Sequence, residues 1–166
     1  MKTKEIIIIV NEKDEIIGHK ERGTLEPSDI YRASALWIQN SKGDILLAQR
    51  SFNKDHHPGK WGPAVAGTVE EGETYQSTII KESEEEIGLT NYHFDKSFNN
   101  YNDGEFKHFT QWFFATVDKE VTEFTIQKEE VEKIKWFTKK ELLEELNSSP
   151  EKFLKSIKKC VDFFSK

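Results

Sequence analysis

Apolar positions along the 166-residue chain recur at two spacings, and the change between them marks the elements. Glu5 to Val10 is β-branched and apolar and reads as a strand. After the polar turn Asn11 to Glu15, Ile16 to Lys20 reads as a second, so residues 4–20 predict an N-terminal β-hairpin. Arg32 to Gln39 and Asp44 to Arg50 flank the turn Asn40-Ser-Lys-Gly43 and predict another. Ser51 to Gly62 reads as a loop and Pro63 to Val69 as a short strand. The spacing lengthens between Thr74 and Ile87, which predicts a helix. Tyr92 to Asn100 and Phe106 to Val117 read as strands around the turn Asn102-Asp103-Gly104. Trp112, Phe113 and Phe114 give the second strand the bulk of a core element, and Glu120 to Gln127 reads as extended or loop. Val131 to Phe137 alternates apolar and charged residues, the mark of a half-buried strand. Thr138 to Glu141 has the spacing of a capping box before a helix reaching Leu146. Ser149-Pro150 opens a last helix with Phe153, Leu154, Ile157, Cys160, Val161 and Phe164 as its apolar stripe. The order β-β-β-β-β-α-β-β-β-α-α, with C-terminal helices in residues 138–165, predicts an α/β (α+β) sandwich. It forms a single domain over residues 1–166.

Composition narrows the function more than the fold. Charged residues make up 33% of the chain and the formal net charge is −6, so a stable nucleic-acid partner is not expected. The single Cys160 excludes an internal disulfide and a cysteine-built zinc site. The five-residue apolar run Ile6 to Val10 is too short for a signal-peptide core or a membrane span, which gives the expectation of a cytoplasmic protein. The apolar N-terminal strand and the aromatic content are compatible with a homodimer but do not decide it.

The candidate chemistry lies on the predicted helix. Glu82, Glu85 and Glu86 stand at i, i+3 and i+4, offsets that share one helical face, while Ile79, Ile80 and Ile87 are expected to turn toward a core. Three carboxylates on one face repel unless something neutralises them. A hard divalent cation with oxygen ligands does so, and Mg2+ is the usual one where phosphates complete its shell. Gly72 and Thr74 supply a turn and an N-cap, and Gly88 a helix end. Gly67, lacking a side chain, allows its carbonyl to approach the same cation. A bare glutamate run is ordinary helix surface; here the spacing is fixed from Gly67 through Glu73, Lys81, Glu82, Glu85 and Glu86 to Gly88-Leu89.

That stretch, residues 67–89, resembles the Nudix box, G-x5-E-x7-R-E-U-x-E-E-x-G-U with U a bulky apolar residue. Lys81 stands in the arginine position and Ser83 in an apolar one. The flanks Tyr31-Arg-Ala33, Gly43 to Arg50, Pro58-Gly59-Lys60-Trp61 and Ser149 to Phe153 resemble the Nudix subgroup that includes type 1 isopentenyl-diphosphate isomerases. The resemblance implies a Nudix-type α/β/α sandwich with a mixed sheet. It also implies Mg2+-dependent hydrolysis (Mn2+ being the other candidate cation) of the diphosphate linkage in a nucleoside diphosphate derivative. Glu82, Glu85 and Glu86 are then the metal and catalytic candidates, with the Gly67 carbonyl assisting and Glu73 and Lys81 supporting. Arg32 and Arg50 are candidates for the diphosphate, because arginine offers bidentate contacts. Glu129, Glu130 and Glu132 fit a polar loop and a strand's outer face better than extra ligands. His56 and His57 diverge as neighbours and fit surface or substrate-proximal positions better than a metal site. Two other readings are an isomerase of isopentenyl diphosphate and a silent ligand-binding module of the same fold. The isomerase reading lacks its cysteine in Trp61 to Gly67 and has Tyr31 where that subgroup often carries histidine.

Overall fold

The computed structural model of the protein describes residues 4–165; residues 1–3 and 166, the ends of the domain read from the sequence, lie outside them. The strands are β1 (Ile6–Val10), β2 (Ile16–Glu21), β3 (Ile30–Gln39), β4 (Ile45–Arg50), β5 (Trp61–Pro63), β6 (Val65–Thr68), β7 (Asp95–Asp103), β8 (Lys107–Thr116) and β9 (Val131–Phe137). The α-helices are α1 (Tyr75–Ile87), α2 (Lys139–Ser148) and α3 (Ser156–Phe164).

β3 is the axis of the mixed sheet. One of its edges pairs in parallel with β8 along its whole length, from Ile30↔Lys107 to Gln39↔Thr116. The other edge is shared by three antiparallel partners: β1 at Ile30 and Tyr31, β6 from Ala33 to Leu36, and β4 at Ile38 and Gln39. β4 pairs with β5 and β9, and β5 runs into β6 through the buried Ala64. The chain thus steps from β4 onto β3 just before the helix.

Alternation along β3 separates two cores. Leu36 and Ile38 join Val65, Ile79, Ile87 and Phe113 beneath α1. Ala35 and Trp37 join Trp61, Trp112, Phe137, Leu142, Ile157 and Cys160 beneath α2 and α3. The result is an α/β/α sandwich with a large mixed sheet, as the pattern predicts.

Four local expectations are corrected. Ile80 is 51% exposed, because the buried stripe of α1 runs through Thr78, Ile79, Ser83, Glu86 and Ile87. The last helix does not start at Ser149-Pro150: those residues form a short 3-10 turn, Phe153 bridges to Trp61, and α3 starts only at Ser156. Leu154 N–H donates to the Trp61 carbonyl at 2.8 Å, so backbone pairing takes the residues that a continuous helix would need. Trp61, read as loop, is a buried strand residue. Ile7 to Val10, read as an apolar strand compatible with a second copy, are buried inside the chain; Ile16 and Ile17 on β2 are the exposed isoleucines of the hairpin.

Candidate active site

Helix α1 starts where the sequence asks it to. The Thr74 hydroxyl accepts from Ser77 N–H and the Ser77 hydroxyl caps Thr74 N–H in return. It ends at Gly88, in the left-handed region at φ 66°, whose N–H donates to Glu84. These two caps fix the rotation of the helix, and so the direction of its glutamates.

The loop before α1 is organised by Glu73. One carboxylate oxygen accepts from Glu70 N–H at 3.1 Å and the Thr78 hydroxyl at 2.9 Å; the other accepts from Lys81 at 2.5 Å. Lys81 also reaches Glu70 at 2.8 Å and lies 3.8 Å from Glu82. Partial burial works against the Lys81 ammonium, but the bonds to Glu70 and Glu73 outweigh it and raise its pKa. For Glu73 burial favours the neutral acid, yet Lys81 and the Glu70 and Thr78 donors hold it below the usual carboxylate range. The pair joins loop to helix. The Ser83 hydroxyl, in the apolar position of the box, is buried and donates to the Ile79 carbonyl at 2.6 Å, so it needs no outside partner.

At the other end of this face the carboxylates crowd. Glu86 is only 9% exposed and lies near the Ala66 amide on β6 and the Glu82 carboxyl. Burial, then the charges of Glu82 and Glu130, push Glu86 well above the usual carboxylate range. Burial also raises Glu82, with Glu85 adding to it and Lys81 opposing. Gly67, opposite Ser34 on β3, packs directly against Glu82: a Cβ on it would stand 2.4 Å from Glu82 Cγ and 2.6 Å from Cδ. Glu85 is exposed on the same helix.

The sequence candidates separate in space. Arg50 ends β4 and its charge acts on Glu130 and Glu86; burial lowers its pKa and the two carboxylates oppose that. Its Nε donates to the His56 carbonyl at 3.1 Å. Arg32 is engaged elsewhere: Nε donates to Asp14 Oδ1 at 2.7 Å, an Nη to the Asp14 carbonyl at 2.6 Å, and the guanidinium lies 5.1 Å over the Tyr75 ring. Tyr75 in turn donates to Asp14 at 2.8 Å. Arg32 thereby ties the β1–β2 turn to the start of α1. Glu130 lies in the turn before β9, where sequence reasoning placed a polar loop; it forms an ion pair with Lys54 and its charge acts on Glu86. Its position follows from β9 pairing with β4 at Arg50↔Val131, a long-range pairing with no local signal in the sequence. His56 and His57 are both exposed, and among the described residues no three His, Cys, Asp or Glu side chains already converge as a metal cage.

The donor set nonetheless suits a hard divalent cation. It has two neighbouring carboxyls in Glu82 and Glu86, a third charge in Glu130, and a glycine where a side chain would displace Glu82. Glu82 and Glu86, with Glu85 from the same face and the Gly67 backbone, are the residues that would hold it. A bound cation would polarise a phosphoryl oxygen and lower the pKa of a bound water.

Comparison with known proteins agrees with this architecture. The NUDIX domain family model matches residues 30–157, and the chain belongs to the Nudix family. It is 32% identical to an uncharacterised Nudix hydrolase of Listeria monocytogenes over 155 residues, covering 86% of this chain and 85% of that one. It is 30% identical to an isopentenyl-diphosphate Delta-isomerase of Enterobacter over 91 residues, which is 54% of this chain and 50% of that one. The fold is similar to the crystal structure of a Deinococcus radiodurans protein, with a TM-score of 0.81 and 21% identity, covering 95% of this chain and 98% of that one. The chain is thus a Nudix hydrolase by family, with a partial likeness to the isomerases.

Proposed function

We propose that the protein is a Mg2+-dependent pyrophosphohydrolase acting on the diphosphate linkage of a nucleoside diphosphate derivative. The observation that carries this reading is the buried Glu86 carboxyl, near Glu82 and within reach of the Glu130 charge, on a helix whose Glu82 packs against a glycine that close approach requires. Such a cluster is costly without a cation and suited to one. In this reading Glu82, Glu85 and Glu86 hold the metal and Arg50 steadies the diphosphate. Glu130 either completes the carboxylate set or accepts a proton from the attacking water. Arg32 acts at one remove, fixing the start of α1 through Asp14 and Tyr75. Mn2+ would serve in the same site, whose oxygen donors suit both ions. A cytoplasmic location goes with this proposal; among the described residues no helix is long and apolar enough to cross a membrane.

The test is release of the nucleoside monophosphate and its phosphorylated co-product from a panel of nucleoside diphosphate derivatives with Mg2+. Wild-type turnover of at least one member is expected, with loss in Glu85→Gln and Glu86→Gln while the circular dichroism spectrum is retained. Full activity in both variants would remove these residues from the chemistry.

The isomerase likeness favours a second reading, activity on isopentenyl diphosphate. The chain opposes it: Trp61 to Gly67 holds no cysteine, and Cys160 sits on the buried face of α3 with its thiol pKa raised by that burial. Allylic product formed from isopentenyl diphosphate and Mg2+ would reverse this ranking.

A further inference from the structure

We infer that the cavity beneath Tyr31 and Phe106 receives the heterocyclic base of the substrate and favours bases that carry an amino group. The inference rests on the hydrolase reading above, since it names the part of the substrate that lies beyond the diphosphate.

The cavity measures about 180 Å³ and opens between the loop before β3 and the turn joining β7 to β8. Leu25, Pro27, Tyr31 and Phe106 give it apolar walls. Sites for whole drug-sized ligands run to about 300–1,000 Å³, so this one has room for a single ring system. Its aromatic wall is held in place. Tyr31 stacks on His108 at 4.9 Å and 14°, and His108 Nδ1 lies 2.8 Å from the Phe106 carbonyl. Aromatic side chains fixed in this way are platforms on which bases stack.

Four charged residues line the cavity, Glu26, Asp29, Glu105 and Lys107. Asp29 is the least exposed of them, its side chain only 12% exposed, and it is the group held in place to select among bases. Its Oδ2 accepts from Lys20 at 2.7 Å and from Glu26 N–H at 2.6 Å, whereas Oδ1 takes no hydrogen bond from the described residues. Burial works against its ionisation, but Lys20 and the Glu26 amide outweigh it and keep it a carboxylate. A fixed carboxylate oxygen accepts hydrogen bonds and gives none, so its natural partner is an exocyclic amino group, as when Asp or Glu accepts from cytosine N4. Uracil lacks that group.

Neighbouring groups lead from the cavity toward the carboxylates. The Phe106 ring meets His56 edge-on at 4.9 Å, the His56 carbonyl accepts from Arg50 Nε, and the Arg50 charge acts on Glu130 and Glu86. A nucleotide with its diphosphate at Arg50 and its base at the cavity would follow this line of neighbours.

The experiment compares the glucose esters of GDP, ADP, CDP and UDP as substrates with Mg2+, in wild type, Phe106→Ala, Tyr31→Ala and Tyr31→Phe. The expected result is a KM at least about tenfold lower for the three amino-bearing bases than for the uridine ester. Phe106→Ala and Tyr31→Ala should raise KM about tenfold or more, with the loss carried by KM rather than kcat, and Tyr31→Phe should restore it. Phe106 is 44% exposed, so its alanine variant retains the fold if Tyr31→Ala does not. An unchanged KM in Phe106→Ala, or equal KM for all four esters, would overturn the inference and leave the hydrolase reading standing. If none of the four is hydrolysed, ligand-detected NMR with free adenosine, guanosine and uridine separates the two. Binding of the purine nucleosides that Phe106→Ala abolishes upholds the cavity, and no binding by wild type overturns it.

Discussion

At the scale of single residues, Glu86 carries an opposition between stability and activity. A carboxyl that is 9% exposed and beside two like charges is costly to ionise. Glu86→Gln keeps the shape and polarity of the side chain and removes the charge. The expected outcome in chelator at pH 8 is a variant more stable than wild type by about 1 kcal/mol, or about 2–4 °C for a chain of this length. The same variant should lose Mg2+-dependent turnover. A lower melting temperature in calorimetry would show that the charge is compensated inside the protein. Gly67 makes the complementary case. Its alanine variant drives a methyl group into Glu82, displacing a carboxylate by a distance on the order of 1 Å. Misplacement of that size costs about 100-fold in rate, so Gly67→Ala should lose kcat on that order while its circular dichroism is unchanged. The spacing of residues 67–89 marks both residues, and what packs against them sets the size of these effects.

At the scale of elements, α1 is the part most legible in advance. Its predicted ends, Thr74 and Gly88, are its observed caps, because capping depends on residues within one turn of each other. Thr74→Ala removes the acceptor for Ser77 N–H and should cost about 1 kcal/mol, measurable as a shift in urea midpoint with unchanged slope. β9 was equally plain, since its alternation is local. The last helix was not. Its apolar stripe has helical spacing from Phe153 onward, but Phe153 and Leu154 are taken by backbone pairing with Trp61, some ninety positions earlier. A periodic pattern cannot tell that a distant strand will claim part of it. Ile80 is a smaller example of the same limit: the helical face was legible, but its boundary depended on what β3 and β6 cover.

For the whole molecule, the carboxylate cluster ties stability to pH and metal together. The folded pKa of Glu86, and of Glu82 with it, lies above the unfolded value near 4.5. The folded state therefore binds those protons more tightly than the unfolded chain. The stability they contribute is fully present below pH 4.5 and is lost as pH rises through the raised folded values. A cation that binds only the folded, ionised cluster reverses the loss by mass action. Melting curves should show a Mg2+-induced rise in Tm that is larger at pH 8 than at pH 5, and absent in Glu86→Gln. An equal rise at both pH values would place the bound Mg2+ elsewhere.

The sequence by itself determined the elements held together by near neighbours and the chemistry that travels with one of them. The spacing from Gly67 to Leu89 specified a capped helix with glutamates on one face, and its loop anchored through Glu73 and Lys81. These depend on helical geometry and on hydrogen bonds a few residues long. The tertiary structure decided what those glutamates face. β9 lies against β4, and this brings the Glu130 charge to bear on Glu86 and leaves Arg50 between them and His56. The β1–β2 turn folds onto β3 and engages Arg32 with Asp14. Parallel pairing of β3 with β8 sets Tyr31 against His108 at the mouth of a cavity. Each of these contacts joins positions far apart in the chain, fixed by strand pairing and burial across the whole sheet rather than by any local spacing.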